Sequence, residues 1–361
     1  MTLAVDARWM VGQYRGMGHY AHALLEPVAA EVLALLPENY PEARYPTVRA
    51  GAGFFPYWEQ VVLPKLCADH AVSKLLCPYN TAPLRLPSSV ELTLVVHDLI
   101  YLEPWSRLPP SVSVYQTLGR IYRRLVVPRA VRGAARLVTV SEFTRNQLVE
   151  KFSISGQRVH VIPNSLDDAW YAESPLAAAS RKPYVLTVAG EAPSKNLSAL
   201  IRAFSLFRRM GGKSVADCTL RVAGVKPSYQ HHFRRVADVA GVAACVVFEP
   251  FLDEEALRQI YREARLFVMP SLYEGFGIPL LEAMASGTPV VCSNTTSLPE
   301  VIGDAGWLFD PRDIEDMAAT LHSAWTDQQG KSERAALGLA RAQRYRRSAV
   351  AQDIAAFWSA S

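Results

Sequence analysis

Short apolar runs alternate with longer amphipathic segments along the whole chain of 361 residues, and this alternation narrows the folds that it can adopt. Several runs are apolar nearly throughout, which is typical of parallel strands that helices cover on both faces. Stretches with helical spacing lie between them, for example 18–36 and 197–210. The predicted strands are 3–7, 74–78, 92–98, 136–141, 158–164, 184–190, 219–224, 245–250, 265–271 and 288–294. The pattern predicts an α/β fold with doubly wound parallel sheets.

The length predicts two domains, because 361 residues exceed the usual size of one. The composition changes over 167–183, which is rich in Ala, Ser and Pro, and we interpret this segment as the interdomain linker. We place one Rossmann-like domain at 1–170 and a second at 171–340, with a C-terminal helix at about 341–361 that crosses back to the first. Ligands of open parallel sheets bind at the carboxyl ends of strands, so functional residues are expected there.

The composition argues against several classes of protein. Half of the residues are apolar and 20% are charged, and the net charge of +4 is too small to indicate a nucleic-acid partner. The five cysteines are widely spaced without a C-x-x-C pair, which is typical of reduced core thiols. The N-terminus lacks the apolar core of a signal peptide, and no apolar run reaches the roughly 18 residues of a spanning helix. We therefore expect a soluble, cytoplasmic protein.

The segment EGFGIPLLE follows a predicted strand and combines a glycine turn with two carboxylates. Gly275 and Gly277 let the backbone turn tightly and approach a ligand, and Pro279 suits the first position of a helix. A helix start offers N–H donors and a partial positive charge to a phosphate. We place Glu282 in the first helical turn, where a carboxylate is favoured for structural reasons alone. Glu274 precedes the turn, where a sugar hydroxyl or ring cation explains a carboxylate better than a phosphate does.

Glu274 and Glu282, with seven residues between them, match the E-x7-E motif of retaining glycosyltransferases with the GT-B fold, in particular the family-4 type. Further blocks resemble this family in order along the chain: GMGHYAHALL, VVHDLIYLEPW, VTVSEFTRNQL, VIPNSLD, APSKNLSALIRAF and FLDEEALRQIYREA. VHDLIY, YWEQVVLP and PYNTAPL look most like bacterial mannosyltransferases of surface polysaccharide assembly. The resemblance implies two Rossmann-like domains facing a cleft, with the acceptor on the first and the donor nucleotide on the second.

The resemblance also implies roles for individual residues. Glu282 would hydrogen-bond the donor ribose, Glu274 would lie near the transferred sugar, and Lys195 would neutralise the leaving diphosphate, whose departure builds negative charge. Backbone contacts to sugar and diphosphate are expected from Gly275, Phe276, Gly277 and Ile278. Further donor contacts are expected from Gly190 at a strand end, and from the loop of Pro250, Phe251 and Leu252, where relatives hold the nucleobase.

One position departs from the family pattern. Many relatives read P-R-K-N where this chain has serine at position 194, so Ser194 lacks a guanidinium that would grip phosphate bidentately. Either Arg15 replaces that group or the affinity for the donor is lower. Gly16 and Gly18 match the glycine loop after the first strand, which in relatives approaches the diphosphate or the acceptor. With Ala21 they also fit G-x-G-x-x-G/A, a weak dinucleotide fingerprint.

Residues of the N-terminal half are predicted to contact sugars. His97 and Asp98 end a predicted strand, and His97 matches a family histidine that contacts the transferred sugar. For Asp98, an acceptor contact and capping of the loop remain equal alternatives. Tyr57, Trp58 and Trp105 are predicted to form part of an acceptor surface, with burial in the core as the alternative.

Arginines crowd two segments, and solvated helix faces and attraction to anionic lipid both explain them. They are Arg120, Arg123, Arg124, Arg129, Arg132 and Arg136, and in the tail Arg341, Arg344, Arg346 and Arg347. The lipid interpretation predicts peripheral contact with the inner face of the cytoplasmic membrane and suits a lipid-linked acceptor.

The resemblance implies a retaining hexosyltransferase, with mannose from GDP-mannose as the preferred donor and a saccharide or lipid-linked saccharide of polysaccharide or O-antigen synthesis as acceptor. The chain contains no D-x-D motif, so we expect no metal and no other cofactor. The alternatives are a UDP-sugar donor, a GT-B epimerase or phosphorylase, a non-catalytic scaffold, and an NAD-dependent oxidoreductase that uses Gly16 and Gly18. The oxidoreductase leaves the C-terminal motifs unexplained.

Overall fold

Two parallel β-sheets organise the chain, one in each of two units, in a computed structural model that describes residues 2–12, 16–110, 114–177 and 180–360. The first unit comprises Met1–Glu103, Tyr115–Ser165 and Arg347–Ser361. The second comprises Pro104–Val114 and Leu166–Arg346. The predicted fold class, with two Rossmann-like parallel-sheet domains, is confirmed.

The first sheet has seven strands in the order β3-β2-β1-β4-β5-β6-β7. They are β1 (Leu3–Asp6), β2 (Val32–Leu36), β3 (Thr47–Arg49), β4 (Lys74–Cys77), β5 (Glu91–Val96), β6 (Arg136–Thr139) and β7 (Val159–Val161). The chain leaves β1 toward β2 on one side and later returns to place β4 on the other side. Strand order therefore reverses between β1 and β4, and such a switch point is where open α/β sheets bind ligands.

The second sheet has six strands in the order β10-β9-β8-β11-β12-β13. They are β8 (Lys182–Val188), β9 (Thr219–Ala223), β10 (Val246–Phe248), β11 (Ala264–Met269), β12 (Val290–Ser293) and β13 (Gly306–Phe309). Here β8 pairs with β9 on one side and β11 on the other, both parallel. The switch point of this sheet therefore lies between the carboxyl ends of β8 and β11.

Helices connect the strands, as parallel pairing requires. They are α1 (Gly16–Leu25), α2 (Phe55–Tyr57), α3 (Leu63–Asp69), α4 (Val114–Gly133), α5 (Glu142–Phe152), α6 (Leu197–Gly211), α7 (Pro227–Val239), α8 (Glu254–Glu263), α9 (Ile278–Ala285), α10 (Leu298–Ile302), α11 (Ile314–Thr326), α12 (Gln328–Ala342) and α13 (Arg347–Ser359). A π-helical turn, Trp58–Val62, joins α2 to α3. In the first unit α13 packs beside α1, and the Trp358 indole N–H donates to the carbonyl of Leu24 at 2.7 Å.

The predicted helix over 18–36 is wrong in its second half. The helix α1 ends at Leu25, a 3₁₀ segment with Pro27 in its first turn follows, and Val32–Leu36 forms the strand β2. Proline lacks the N–H that a continuing helix needs, and a short apolar run with both faces buried fits strand and helix patterns equally. All ten predicted strands occur, several of them shorter than predicted, whereas β2, β3 and β13 were missed.

Each unit has its own apolar core. In the second unit, α6 buries Leu200, Phe204 and Phe207 against the sheet, while Arg202 on the same helix is exposed. Full burial of such a side chain stabilises the fold by roughly 1.5–3 kcal/mol. Most apolar side chains inside the strands therefore pack in the core, and polar side chains are found at the ends of the strands.

Candidate active site

Lys195 and Glu274 meet at the switch point of the second sheet. Lys195 follows β8 and Glu274 follows β11, and these strands are neighbours. The Nζ of Lys195 donates to Oε1 of Glu274 at 2.7 Å. The two side chains are 28% and 13% exposed, so the pair borders solvent instead of lying in the core. A cation and a carboxylate thus share the place where this fold binds ligands.

The loops that carry this pair are held to each other through the backbone. The N–H of Leu272, after β11, donates to the carbonyl of Ser194, after β8, at 2.7 Å. Lys195 ends a short 3₁₀ turn, and the next residue, Asn196, has a left-handed backbone with φ of 56°. The amide of Asn196 donates to the carbonyl of Pro311 at 2.7 Å, which fixes the start of α6. Asparagine tolerates this conformation better than most residues, which accounts for its use here.

A hydrogen bond from Ser297 holds the backbone of the glycine turn before α9. The Oγ of Ser297 lies 3.1 Å from the carbonyl oxygens of both Glu274 and Phe276, and the hydroxyl shares its one proton between them. Gly277 has φ of 106°, and a Cβ there would lie 2.6 Å from a methyl group of Leu298, so only glycine fits. The helix α9 begins at Ile278, and its N-cap residue, Gly277, has no side chain to occupy the first N–H groups. The turn and helix start therefore have the form of a phosphate-binding site.

Glu282 does not lie in the first turn of α9, contrary to our expectation. It is the fifth residue of the helix, so the helix dipole is not the reason for a carboxylate there. The hydroxyl of Tyr261 from α8, itself fully buried, donates to Oε2 of Glu282 at 2.7 Å. Burial raises the pKa of Glu282 to about 7, so its carboxyl group changes protonation near neutral pH.

His97 is buried at the carboxyl end of β5 in the first unit. Its backbone N–H donates to Oδ1 of Asn80 at 2.6 Å, and its Nε2 lies 2.9 Å from the carbonyl of Pro78. The ring of Tyr20 packs against the imidazole edge to face, with 5.1 Å between centroids. Burial lowers the pKa of His97 to about 4, so the ring is neutral at pH 7. Since a carbonyl only accepts, Nε2 carries the proton and Nδ1 is an acceptor.

The predicted acceptor residues separate into different environments. Trp58 is fully buried and its indole N–H donates to Asp6 at 3.1 Å, so the core alternative is correct and its ring offers no acceptor surface. Tyr57 is 49% exposed and Trp105 is 37% exposed. Trp105 lies in Pro104–Val114, which groups with the second unit. Asp98 accepts from the N–H of Ile100 at 3.1 Å and so caps the loop.

The remaining predicted donor residues lie at strand ends or helix starts. Gly16 begins α1 and Gly18 lies within it, so these glycines belong to a helix start instead of a loop. Gly190 follows β8, and a Cβ there would meet nothing within 4 Å. Pro250 and Leu252 lie in the loop between β10 and α8. Arg15 lies outside the described residues.

Sequence reasoning missed the residues that position the site. Thr296 accepts from the N–H of Glu274 at 3.2 Å, Ser297 holds the glycine turn, and Tyr261 holds Glu282. A run of small polar residues after β12 was visible in the sequence, but no spacing connects it to Glu274.

Most of the arginines that we singled out bond within their own unit. Arg120 and Arg124 donate to the carbonyl of Glu103, and Arg136 donates to that of Phe357. In the tail, Arg341 donates to carbonyls of residues 300 and 301, and Arg346 pairs with Asp168 at 2.6 Å. These side chains serve packing. Arg129 and Arg132 also donate to carbonyls, those of Leu125 and Pro128 in their own helix, but both residues are exposed.

Within the part of the chain that the structure describes, no group of three or more His, Cys, Asp or Glu side chains is arranged to hold a metal ion. All five cysteines are free thiols, four of them buried.

Two family models match the chain without overlap. Residues 171–342 match the model described as Glycosyl transferases group 1, and residues 39–170 match the one described as Glycosyltransferase Family 4. The first match contains Lys195, Glu274 and Glu282, and the second contains His97.

Curated relatives include bacterial mannosyltransferases. O-antigen chain mannosyltransferase B of Escherichia coli is 29% identical over 232 residues, which cover 62% of this chain and 60% of that protein. A GDP-mannose-dependent alpha-(1-6)-phosphatidylinositol monomannoside mannosyltransferase of Mycolicibacterium smegmatis is 29% identical over 254 residues, covering 65% and 61%. The chain therefore spans less than two thirds of the length of these relatives.

Solved structures share the fold over the full chain. HepE from Anabaena, in complex with UDP and glucose, superposes with a TM-score of 0.74 at 19% identity, covering 100% of both chains. At this level of identity the similarity concerns the fold.

Proposed function

The chain belongs to the glycosyltransferases with the GT-B fold, and on this basis we propose that it is a retaining, metal-independent hexosyltransferase. The proposed donor is GDP-mannose, and the proposed acceptor is a saccharide or lipid-linked saccharide of polysaccharide or O-antigen synthesis. The donor proposal draws on the relative from Mycolicibacterium smegmatis, whose name states GDP-mannose dependence, and the acceptor proposal on the O-antigen relative. The nucleotide is proposed to bind the second unit and the acceptor the first.

The observation that carries the proposal is the Lys195–Glu274 pair beside the glycine turn. Loss of a nucleoside diphosphate concentrates negative charge on its phosphates, and a lysine together with a helix start stabilises that charge without a metal. A carboxylate beside the same lysine suits the sugar, whose hydroxyls donate and whose ring carbon becomes positive as the leaving group departs. The 2.7 Å contact holds the two groups in one place.

Retention is proposed to follow from reaction on one face of the sugar. The bond between the anomeric carbon and the diphosphate oxygen breaks, and the acceptor oxygen bonds to the same face. The acceptor proton passes to the departing phosphate oxygen. Since the leaving group takes the proton, no side chain is assigned as general base. Lys195 is assigned to the diphosphate and Glu274 to the sugar. Glu282 is assigned to the ribose and His97, neutral, to a sugar hydroxyl.

A UDP-sugar is the second candidate donor, because HepE shares the fold and its title names a complex with UDP and glucose. The loop of Pro250 and Leu252, proposed to contact the base through backbone atoms, fits either base.

A ligand panel tests the donor. GDP is expected to raise the thermal midpoint of the full chain more than UDP, ADP or NAD, because the ligand with the lowest Kd stabilises the folded state most. A ligand present at about 100 times its Kd raises the free energy of unfolding by about 2.7 kcal/mol. Incubation with GDP-mannose and an acceptor glycan, with and without EDTA, is then followed by proton NMR, and an α-linked product with EDTA present is expected. Stabilisation by NAD and by no nucleoside diphosphate would contradict the transferase; a larger shift with UDP would select the second donor.

Contact with an anionic membrane remains a proposal, which one face of α4 supports. Tyr115, Leu118, Ile121 and Leu125 are exposed along this helix, and Arg129 and Arg132 follow in its last turns. Apolar side chains flanked by basic ones are typical of helices that lie in a membrane surface. No helix among the described residues is long and apolar enough to cross a bilayer.

Vesicle flotation tests this surface. The Leu118→Glu/Leu125→Glu variant is expected to bind vesicles containing phosphatidylglycerol at least about tenfold more weakly than the wild type, because each leucine loses its burial in lipid. The matched control is Met210→Glu/Val239→Glu, which changes two exposed apolar residues of the second unit. Equal flotation of the two double variants would argue against α4 as the contact.

A further inference from the structure

The switch point of the first sheet carries polar groups that the proposed transfer does not use. Arg8 lies two residues beyond β1, and Tyr79 lies two residues beyond β4. These strands are neighbours, with Val5 opposite Leu76, so the two side chains start from adjacent strand ends. The site is the counterpart, in the first unit, of the Lys195–Glu274 position in the second.

One edge of the buried Arg8 guanidinium has no hydrogen-bond partner among the residues that the structure describes. The residue is 2% exposed, and the two nitrogens of that edge, Nε and Nη2, are both buried. The guanidinium carbon lies 3.7 Å from the ring centroid of Phe55 and 4.6 Å from that of Trp9. Nε and Nη2 form the side of the group that presents two parallel N–H donors, which is the geometry that grips two oxygens of a carboxylate or phosphate. Leaving such donors unmatched costs free energy.

Tyr79 gives a second, independent sign of a missing partner. Its hydroxyl is buried and makes no hydrogen bond within the described part of the chain, although buried tyrosine hydroxyls usually find a partner. Its ring packs edge to face against Trp9, with 6.3 Å between centroids. Trp9 therefore contacts both Arg8 and Tyr79, and with 41% of its surface exposed it is the member of this cluster that borders solvent.

The nearby carboxyl groups do not occupy the open edge of Arg8. Oδ1 of Asp6 accepts from the indole of Trp58 at 3.1 Å and from the backbone N–H of Arg8 at 3.3 Å. Glu59 accepts from Tyr122 at 2.7 Å and from two further donors, Gln60 and Thr81. Burial raises the pKa of Asp6 and raises that of Glu59 to about 7, although the charge of Arg8 opposes both shifts, so Glu59 is partly protonated near neutral pH and repels an incoming anion less.

Two other arginines that stack on aromatic rings show how many unpaired N–H groups stacking alone explains. Arg265 stacks on Trp325 at 4.2 Å and Arg334 on Trp307 at 4.3 Å. In the part of the chain that the structure describes, each of these leaves Nε as its one buried nitrogen without a partner, and Nη2 of Arg265 donates to a carbonyl. Stacking on an aromatic ring thus explains one N–H group without an acceptor, whereas Arg8 has two such groups, Nε and Nη2, on the same edge of its guanidinium.

We propose that Nε and Nη2 of Arg8, together with the hydroxyl of Tyr79, bind a carboxylate or phosphate carried by the acceptor saccharide. The exposed ring of Trp9 stacks on the sugar that bears this anion. The inference rests on the proposed function, because it takes the first unit as the acceptor side. It adds that the acceptor is an acidic saccharide, either a uronic acid or a sugar phosphate.

Binding of soluble probes to the full chain tests the site directly. Glucuronic acid, mannose 6-phosphate and the neutral methyl α-mannoside are titrated by ligand-observed NMR. At least one of the anions is expected to bind about tenfold or more tightly than the neutral sugar, and the tighter one identifies carboxylate or phosphate as the source. Arg8→Lys keeps the charge but loses the paired donors, and it is expected to weaken binding of that anion about tenfold or more. Tyr79→Phe is expected to weaken it about threefold or more.

Arg265→Lys is the matched control, a stacked arginine of the second unit, and it is expected to bind the anion like the wild type. GDP binding is measured on every variant as a check of folding. If Arg8→Lys no longer binds GDP, the affinity of Tyr79→Phe for the anion is used to test the proposal. Equal affinity of anionic and neutral probes, or wild-type affinity in a folded Arg8→Lys, would overturn the proposal. Failure of the wild type to bind any nucleoside diphosphate is a separate result that contradicts the proposed donor.

Discussion

Glu274→Gln is expected to lower the rate of sugar transfer by about 10²-fold or more without weakening the affinity for GDP. The change removes a negative charge but preserves size and one oxygen. Glu274 is assigned to the sugar, where positive charge develops in the transition state, and not to the nucleotide. The loss should therefore fall on kcat, because an interaction made mainly in the transition state affects kcat and kcat/KM together.

The same strand pair offers a matched control for Glu274. Glu263, just before β11, pairs with Lys182 at the start of β8, and the Nζ–Oε2 distance is 2.7 Å. This Lys–Glu pair has the same separation as Lys195–Glu274 but lies at the amino edge of the sheet, away from the switch point. Glu263→Gln is expected to retain wild-type turnover, measured with GDP-mannose and the same acceptor. Full turnover in Glu274→Gln would refute the role that we assign to its charge.

Lys195→Ala is expected to weaken GDP binding about 10- to 100-fold, because a charged hydrogen bond to phosphate is worth about 1.5–3 kcal/mol. Transfer should fall at least as much, since charge on the diphosphate grows as it departs. The thermal midpoint should change little, because a partly exposed ion pair contributes at most about 1 kcal/mol. Titration calorimetry with GDP measures the first effect and thermal unfolding the last.

Lys182→Ala is the control for Lys195→Ala, since it removes the lysine of the pair at the amino edge. It is expected to bind GDP like the wild type. The double variant Lys195→Ala/Glu274→Gln should bind GDP more tightly than Lys195→Ala alone, because the single variant leaves an uncompensated carboxylate near the phosphates. Unchanged GDP affinity in Lys195→Ala would contradict the phosphate contact.

Local sequence patterns were sufficient for the fold class and for the glycine turn. The alternation of apolar runs predicted parallel sheets, and the confirmed strands include β8 and β11, which carry the site. Gly277 was predicted at a turn that needs glycine, and its φ of 106° agrees. The apolar pattern did not predict the structure of residues 28–36. The strand in this segment is buried and apolar, so its sequence has no periodicity that distinguishes a strand from a helix.

The candidate site was predicted in its residues but not in its contacts. The E-x7-E motif located Glu274 and Glu282, and the APSKN block located Lys195, and their roles remain predictions. Nothing in the sequence indicated that Tyr261 would hold Glu282, and the sequence left an acceptor surface and burial in the core as alternatives for Trp58. These facts depend on residues far apart along the chain, whose distances are set by the sheet.

The sequence by itself determined ten of the thirteen strands and the glycine turn before α9, because backbone preferences and apolar periodicity act between neighbouring residues. Only the tertiary structure decided that Lys195 and Glu274, 79 positions apart, form an ion pair, because strand order brings the ends of β8 and β11 together. The tertiary structure also raised the pKa of Glu282 and left one edge of Arg8 without partners among the described residues, since desolvation and unmatched donors arise only when distant elements pack around a polar group.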